Sequence, residues 1–179
     1  DKEETISTIM LMPENQEAWD KMEIVFATSK GSVRRNALSD FTNIRANGKI
    51  AMKLDDEGDE RLIAVRSCDE KSDVLLTTRS GRCIRFASTD VRRFTGRSST
   101  GVRGIKLASG DEIVSMSILN QGEFTMEERD AYLKSARKGD DAPECTLSPE
   151  RVEAMAAEEQ FILSVSERGF GKRTSSYEY

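Results

Sequence analysis

The sequence predicts an all-β, propeller-like partial array of four-stranded units about 50 residues long, interrupted by a small helical insertion. Three observations carry that expectation. Gly31, Gly81 and Gly169 stand in one recurring local pattern, paired acids head a second recurring run, and the interval between the last two glycines is stretched.

Around each glycine the neighbours repeat. Thr28, Thr78 and Ser166 lie three places before it, Arg35, Arg85 and Arg173 four places after it, and Asp40, Asp90 and Glu178 nine places after it. The apolar runs Ile24-Val25-Phe26, Val74-Leu75-Leu76 and Phe161-Ile162-Leu163 precede the three glycines. Strand, glycine turn, strand is the reading this supports. Glu3-Glu4, Asp59-Glu60 and Asp111-Glu112 head companion runs at 5–9, 61–65 and 113–116. Such a unit cannot bury both faces alone, so neighbours must stack.

The elements then fall in order: 1–20 as the end of a preceding unit, 21–66 and 67–120 as two whole units, 121–159 as an insertion, and 160–179 as the start of the next unit. The first two anchors are 50 residues apart and the next two 88, an excess of 38 that lies between Asn120 and Gln160. There Thr125-Met126-Glu127-Glu128 forms a capping box opening a helix toward Gly139, and Ser148-Pro149-Glu150 opens a second toward Glu159. Tyr132, Leu133, Ala136, Val152 and Met155 are available to pack the two helices together, though stripes this thin leave open whether the pair folds well.

Composition removes several kinds of chemistry. The chain has no histidine, hence neither the commonest general base nor the usual metal ligand. Cys68, Cys83 and Cys145 are odd in number and widely spaced, which reads as reduced thiols rather than a disulfide frame or zinc site. Asp55-Asp56 and Asp140-Asp141 sit in charged, turn-rich stretches and read as solvated loop acids. No apolar run approaches the roughly 18 residues of a membrane span, and the opening Asp1-Lys2-Glu3-Glu4 lacks signal-peptide character. A cytoplasmic location without membrane attachment is expected.

Charge is unevenly placed. The net value is -5, but 121–159 alone holds 11 acids and 5 bases, a balance of -6, whereas 28–106 holds 17 Lys and Arg against 10 acids, or +7. The bases recur with the repeat at Arg34 and Arg35, Arg82 and Arg85, and Lys172 and Arg173, with further sets at Arg45, Lys49, Lys53 and at Arg92, Arg93, Arg97, Arg103, Lys106. Equivalent residues of stacked units face the same way, so these cations are expected to form a band along one rim and to neutralise the phosphates of a polyanion. Aromatics make up only 6% of residues and no recognition helix is evident, so the expected grip is on phosphate, with bending and little base reading. Arg35 and Arg85 are on this reading duplex contacts. The plain alternative for any one cation is a solvated strand face. Gly101 and Gly104 also match the G-x-x-G spacing with which KH domains clamp a backbone, but without flanking KH helices.

Four stretches carry a family resemblance: Phe26-Ala27-Thr28 through Gly31 to Arg35; Gly48-Lys49-Ile50-Ala51-Met52-Lys53-Leu54; Thr100-Gly101-Val102-Arg103-Gly104-Ile105-Lys106-Leu107 with Gly110-Asp111; and Gly169-Phe170-Gly171-Lys172-Arg173-Thr174. The sequence resembles the C-terminal domains of bacterial DNA gyrase A subunits and their topoisomerase IV relatives. The resemblance implies a β-pinwheel whose blades exchange strands and whose basic rim wraps double-stranded DNA, largely without regard to sequence. It also implies service to an ATP-driven type II topoisomerase that introduces negative supercoils, in an A2B2 holoenzyme with the B subunit and the rest of the A subunit. No cofactor is implied for this chain, ATP and magnesium belonging to the holoenzyme. The family cleaves DNA at a tyrosine that follows an arginine, whereas Tyr132, Tyr177 and Tyr179 follow Ala131, Ser176 and Glu178, so the chain is expected to be non-catalytic. The gyrase heptad Gln-Arg-Arg-Gly-Gly-Lys-Gly has no counterpart here, which leaves topoisomerase IV as the alternative. A propeller-type protein-interaction module and an independent enzyme are the rival classes. The acidic 121–159 segment lies outside the common blade pattern, as an inert excursion, a phosphate mimic or a partner dock.

Overall fold

The computed structural model describes residues 5–42, 44–55, 59–136 and 146–179, and divides into two compact units, Asp1–Ile118 and Leu119–Tyr179. Among the residues singled out above, Asp1, Lys2, Glu3, Glu4, Asp56, Gly139, Asp140, Asp141 and Cys145 lie outside the described set.

In the first unit, β1 (Glu23–Thr28) and β2 (Ser32–Ala37) form an antiparallel hairpin, and β3 (Leu62–Cys68) lies on the other side of β1, running through the boundary expected at 66/67. A second hairpin of β4 (Ser72–Thr78) and β5 (Cys83–Ala87) repeats the first, with β8 (Ile113–Asn120) beside β4. The turn glycines Gly31 and Gly81 adopt φ of 85° and 83°, the left-handed region that L side chains avoid. Between β5 and β8 come two short strands, β6 (Arg93–Phe94) and β7 (Val102–Arg103). Although they belong to the second repeat, both hydrogen-bond to β2 of the first: Arg35 and Asn36 pair with Arg93 and Phe94 in parallel, while Ser32 and Val33 pair with Arg103 and Val102 in antiparallel fashion. The sheet orders are β3-β1-β2-β6, with β7 also on β2, and β5-β4-β8.

This loan of strands explains the two glycines near β7. At Gly101 φ is 89° and a Cβ would strike the Val33 carbonyl, while at Gly104 a Cβ would stand 2.8 Å from Val33 Cγ1 and 3.0 Å from Leu76 Cδ1. The Gly104 N–H donates to the Gly31 carbonyl at 2.8 Å. The G-x-x-G spacing therefore seats one backbone against another, and the KH-like clamp is corrected to a packing device.

One core lies between the sheets, where Val25, Ala27 and Val33 of the first meet Val74, Leu76, Ile113 and Met116 of the second, with Val91 between strands. On the far face of the first sheet, Ile24, Phe26, Leu38 and Val65 pack with Trp19 and Met52. Every residue of β1 is buried, which is why Ile24 to Ala27, between Glu23 and Thr28, form a continuous apolar run rather than an alternating one. Each such side chain removed from water contributes about 1.5–3 kcal/mol.

The second unit contains α1 (Met126–Ser135), α2 (Pro149–Glu158) and a hairpin of β9 (Phe161–Val165) and β10 (Gly171–Ser175) in the register of the other two. The capping box forms in both directions, the Thr125 N–H donating to Glu128 Oε2 at 2.8 Å and the Glu128 N–H to Thr125 Oγ1 at 3.2 Å. Tyr132, Leu133, Val152 and Met155 do pack together, joined by Phe124, Leu147 and Tyr177, so the poorly folded alternative is set aside. Ala136 is exposed at the C-cap instead. Tyr177 is the anchor that the helical stripes alone do not reveal: its ring meets Phe124 and Tyr132 edge-on at 5.8 and 5.6 Å, and its hydroxyl donates to the Met155 carbonyl at 2.8 Å.

Candidate nucleic-acid interface

The arginine four places after each anchor glycine has a structural role in both hairpins of the first unit. Hairpin register places it diagonally opposite the residue eight before the glycine, which is Glu23 in the first repeat and Asp73 in the second. Arg35 Nη1 lies 2.5 Å from Glu23 Oε2 and its Nε donates to the Val91 carbonyl at 2.7 Å. Arg85 Nε lies 2.7 Å from Asp73 Oδ2, with both side chains largely buried. In the third hairpin the corresponding position is Phe161, and the Arg173 guanidinium stands 4.3 Å over its ring. Arg34 is wholly buried, its Nε donating to Asn36 Oδ1 at 2.7 Å and its Nη1 to the Ser99 carbonyl. The expectation that Arg34, Arg35 and Arg85 face a polyanion is thus corrected: desolvated guanidinium groups already holding protein acceptors brace the hairpins. The signal for the two acidic partners is present in the sequence, as Glu23 and Asp73 at a constant distance from the glycine.

The other expected cations do reach the surface. Arg45, Lys49, Lys53, Arg82, Arg92, Arg93, Arg103 and Lys106 are exposed in the first unit, Arg97 is half-buried, and Lys172 and Arg173 are exposed on β10 of the second. Two of the basic sets, from different repeats, are joined directly. Arg97 donates through Nε to the Ile50 carbonyl at 3.2 Å and through Nη1 to the Asp40 carbonyl at 2.8 Å, and the Lys53 N–H donates to the Ser99 carbonyl at 3.3 Å. The 45–53 and 92–106 stretches therefore share one basic seam.

A second cluster joins Arg82, Asp111 and Glu112 of the recurring pattern to Arg61 and Arg79, which stand outside it. Glu112 receives Arg61 Nη2 at 2.8 Å and also Arg79 Nη2, two cations on one carboxylate. Arg79 and Arg82 line a cleft of about 420 Å³ with Ser80, Ala108, Ser109, Gly110 and Asp111. Asp111 accepts from Ser80 Oγ at 2.5 Å and from the Ser80 N–H at 3.1 Å, and these bonds hold its carboxyl down at about 2.

Spaced guanidinium and ammonium groups can neutralise phosphates and release their counterions. Among the described residues no group of three or more Cys, Asp or Glu is placed to hold a metal ion, and no helix is long and apolar enough to cross a membrane. Burial pushes the Cys68 thiol up to about 12, which keeps it protonated, while Cys83 is exposed.

Glycine-anchored hairpins, the first of them joined in its sheet by strands of the following repeat, define a propeller-type β domain of the strand-exchanging kind. The family model described as DNA gyrase C-terminal domain, beta-propeller, matches residues 23–69, 72–120 and 160–179, leaving out the helical insertion. The DNA gyrase A subunit of Granulibacter bethesdensis is 46% identical over 198 aligned residues, covering 97% of this chain and 21% of that protein, and its Rickettsia bellii counterpart is 44% identical over 188, covering 99% and 21%. The Staphylococcus aureus counterpart is 34% identical across the whole chain and 16% of its own length. The chain belongs to the DNA gyrase C-terminal domain family, and spans about a fifth of the length of the curated relatives it matches. Among solved structures, a topoisomerase IV C-terminal domain superposes with a TM-score of 0.60 at 19% identity, over 89% of this chain and 38% of that one. A DNA gyrase A C-terminal domain superposes at 0.50 and 21% identity, over 98% and 66%. At these identities the superpositions bear on fold alone.

Proposed function

We propose that this domain wraps duplex DNA for a type IIA topoisomerase of the gyrase kind, as part of its A subunit, holding phosphates along its basic rim and bending the helix so that ATP-driven strand passage introduces negative supercoils. The observation that carries the reading is the seam, where Arg97 ties the 45–53 stretch to the 92–106 stretch and leaves Arg45, Lys49, Arg92, Arg93, Arg103 and Lys106 exposed along it. With Arg34, Arg35 and Arg85 turned inward, the contacts of the first unit are the six exposed residues just named with Lys53, Arg82 and Arg97, and those of the second unit, taken by itself, are Lys172 and Arg173. The identity of the relatives as gyrase A subunits favours gyrase over topoisomerase IV. Strand cleavage and ATP hydrolysis, with its magnesium, belong to other parts of an A2B2 assembly in the cytoplasm, and this domain supplies geometry rather than chemistry.

The test is the affinity of the full A subunit for a long and for a short duplex over a salt titration. Wrapping requires the long duplex to bind more tightly and with the steeper salt slope. Equal affinity and equal slope for both lengths would reject it, and binding that persists at high salt without need of duplex would favour a protein-interaction module.

A further inference from the structure

Two buried polar residues of β2 have no duplicate in the second repeat. The register that aligns Arg35 with Arg85 aligns Arg34 with Ile84 and Asn36 with Phe86. Arg34 and Asn36 are fully buried, and both turn to the 94–99 loop that leads out of β6. The Asn36 side-chain amide donates to the Phe94 carbonyl at 3.0 Å, to the Gly96 carbonyl at 3.2 Å and to Asp40 Oδ2 at 3.0 Å, while its Oδ1 accepts from Arg34 Nε at 2.7 Å. Arg34 Nη1 donates to the Ser99 carbonyl, and its guanidinium carbon stands 4.8 Å from the centre of the Phe94 ring. From the loop side, Arg97 Nη1 donates back to the Asp40 carbonyl at 2.8 Å. The loop is thus gripped from beneath at three carbonyls, although Thr95, Gly96, Ser98 and Ser99 are themselves exposed.

Apolar residues of similar volume would fill this space at lower cost, because a buried guanidinium gives up its hydration and Arg34 Nη2 recovers no hydrogen bond for it. What the polar pair adds is recognition of main-chain oxygens at fixed places, which apolar side chains cannot supply. We infer that Arg34 and Asn36 are positioning residues for duplex binding, which set the 94–99 loop in its binding shape before DNA arrives. This role rests on the DNA-wrapping reading and deepens it: the join between the 45–53 and 92–106 stretches is preset rather than moulded by the duplex. A loop ordered only on binding would weaken the apparent affinity in proportion to the time it spends in other shapes.

The test uses the full A subunit carrying Arg34→Met with Asn36→Leu, an apolar pair of similar volume, or Arg34→Lys, which keeps the charge and loses the fork. Phe86→Leu, at the matching place on β5, is the control. Trypsin cleavage after Arg97 in the free protein reads the order of the loop, and a salt titration with a long duplex reads affinity and slope. Both test variants should be cut after Arg97 at least about tenfold faster than wild type and bind duplex about tenfold more weakly, as follows if the competent loop falls to about a tenth of the population. The salt slope should not change, since every exposed cation remains and the loop orders on the duplex. The apolar pair should unfold in urea at a midpoint no lower than that of wild type, which separates positioning from simple support of the fold. The control should match wild type throughout.

A lowered slope would mean that phosphate contacts are lost outright, and faster cleavage at unchanged affinity would mean that the duplex needs no preset loop. Either result overturns the inference. Unchanged cleavage and affinity would overturn it as well, returning Arg34 and Asn36 to the hairpin alone. Should the apolar pair fail to fold, Arg34→Lys decides by the same readings. A wild-type subunit without preference for the long duplex would remove the wrapping reading itself, whatever the variants do to cleavage after Arg97.

Discussion

β2 and β5 occupy the same place in successive repeats and end in different surroundings. Arg34, Arg35 and Asn36 of β2 are buried, whereas Ile84 of β5 is 37% exposed and Arg85 and Phe86 are half-buried. The cause is not composition. β2 has β6 and β7 laid along its outer side, while β5 is the end strand of its sheet among the described residues. The donor segments differ in the same way, since Gly101 is pressed against Val33 but a Cβ at the matching Gly48 would meet nothing within 4 Å. What stays constant is the internal brace, Arg35 with Glu23 and Arg85 with Asp73. The hairpin is thus self-sufficient in its ion pair, and burial of its outer strand is lent by the following repeat.

The largest expected effect comes from breaking the shared part. Arg35→Ala strands a buried Glu23 carboxylate and should destabilise the first unit by about 4 kcal/mol in urea unfolding, with Arg85→Ala costing about 3 kcal/mol. Duplex affinity per folded molecule should not change. Weaker binding at undiminished stability would return both arginines to the rim.

The borrowed part is sharpened by the matched glycines. Gly101→Ala adds a backbone collision to an unfavourable φ and should cost about 3 kcal/mol, whereas Gly48→Ala, with only the φ of 76° against it, should cost about 1 kcal/mol. Equal losses would mean that β7 contributes little to the first sheet. Smaller again is Tyr177→Phe, which removes one hydroxyl donor and should cost about 1 kcal/mol, read as faster amide exchange in α1 and α2 with β4 and β5 unaffected.

The smallest effect is a pH dependence. The Arg151 guanidinium and the Thr125 N–H hold the Glu128 carboxyl down at about 2, from an ordinary 4.5. A depressed carboxylate stabilises the folded state fully above its unfolded value and loses that contribution as pH falls through the folded one. Amide protection of α1 should therefore decline between about pH 4.5 and 2, and Glu128→Gln should flatten that decline. A decline of the same size in the variant would assign it to other groups.

Local features are legible in the sequence and long-range ones are not. The anchor glycines mark all three hairpins, and the capping box and the Ser148-Pro149 start mark both helices, because each is decided within a few residues. Recurrence of arginine is visible too, but its direction is not. A cation that repeats in register can face a ligand or a partner on the adjoining strand, and only the companion acid eight places before the glycine distinguishes the two. Tyr177 cannot be foreseen as the helix anchor, since the chain between it and α1 is longer than any periodicity can bridge.

The loan of β6 and β7 to β2 also sets a timetable for synthesis. Ala37 and Arg93 are 56 residues apart, so at about 5–20 residues per second the first sheet waits roughly 3–11 seconds on the ribosome for the strand that completes it. Through that interval a nascent hairpin carries an unfinished edge able to pair with the wrong chain.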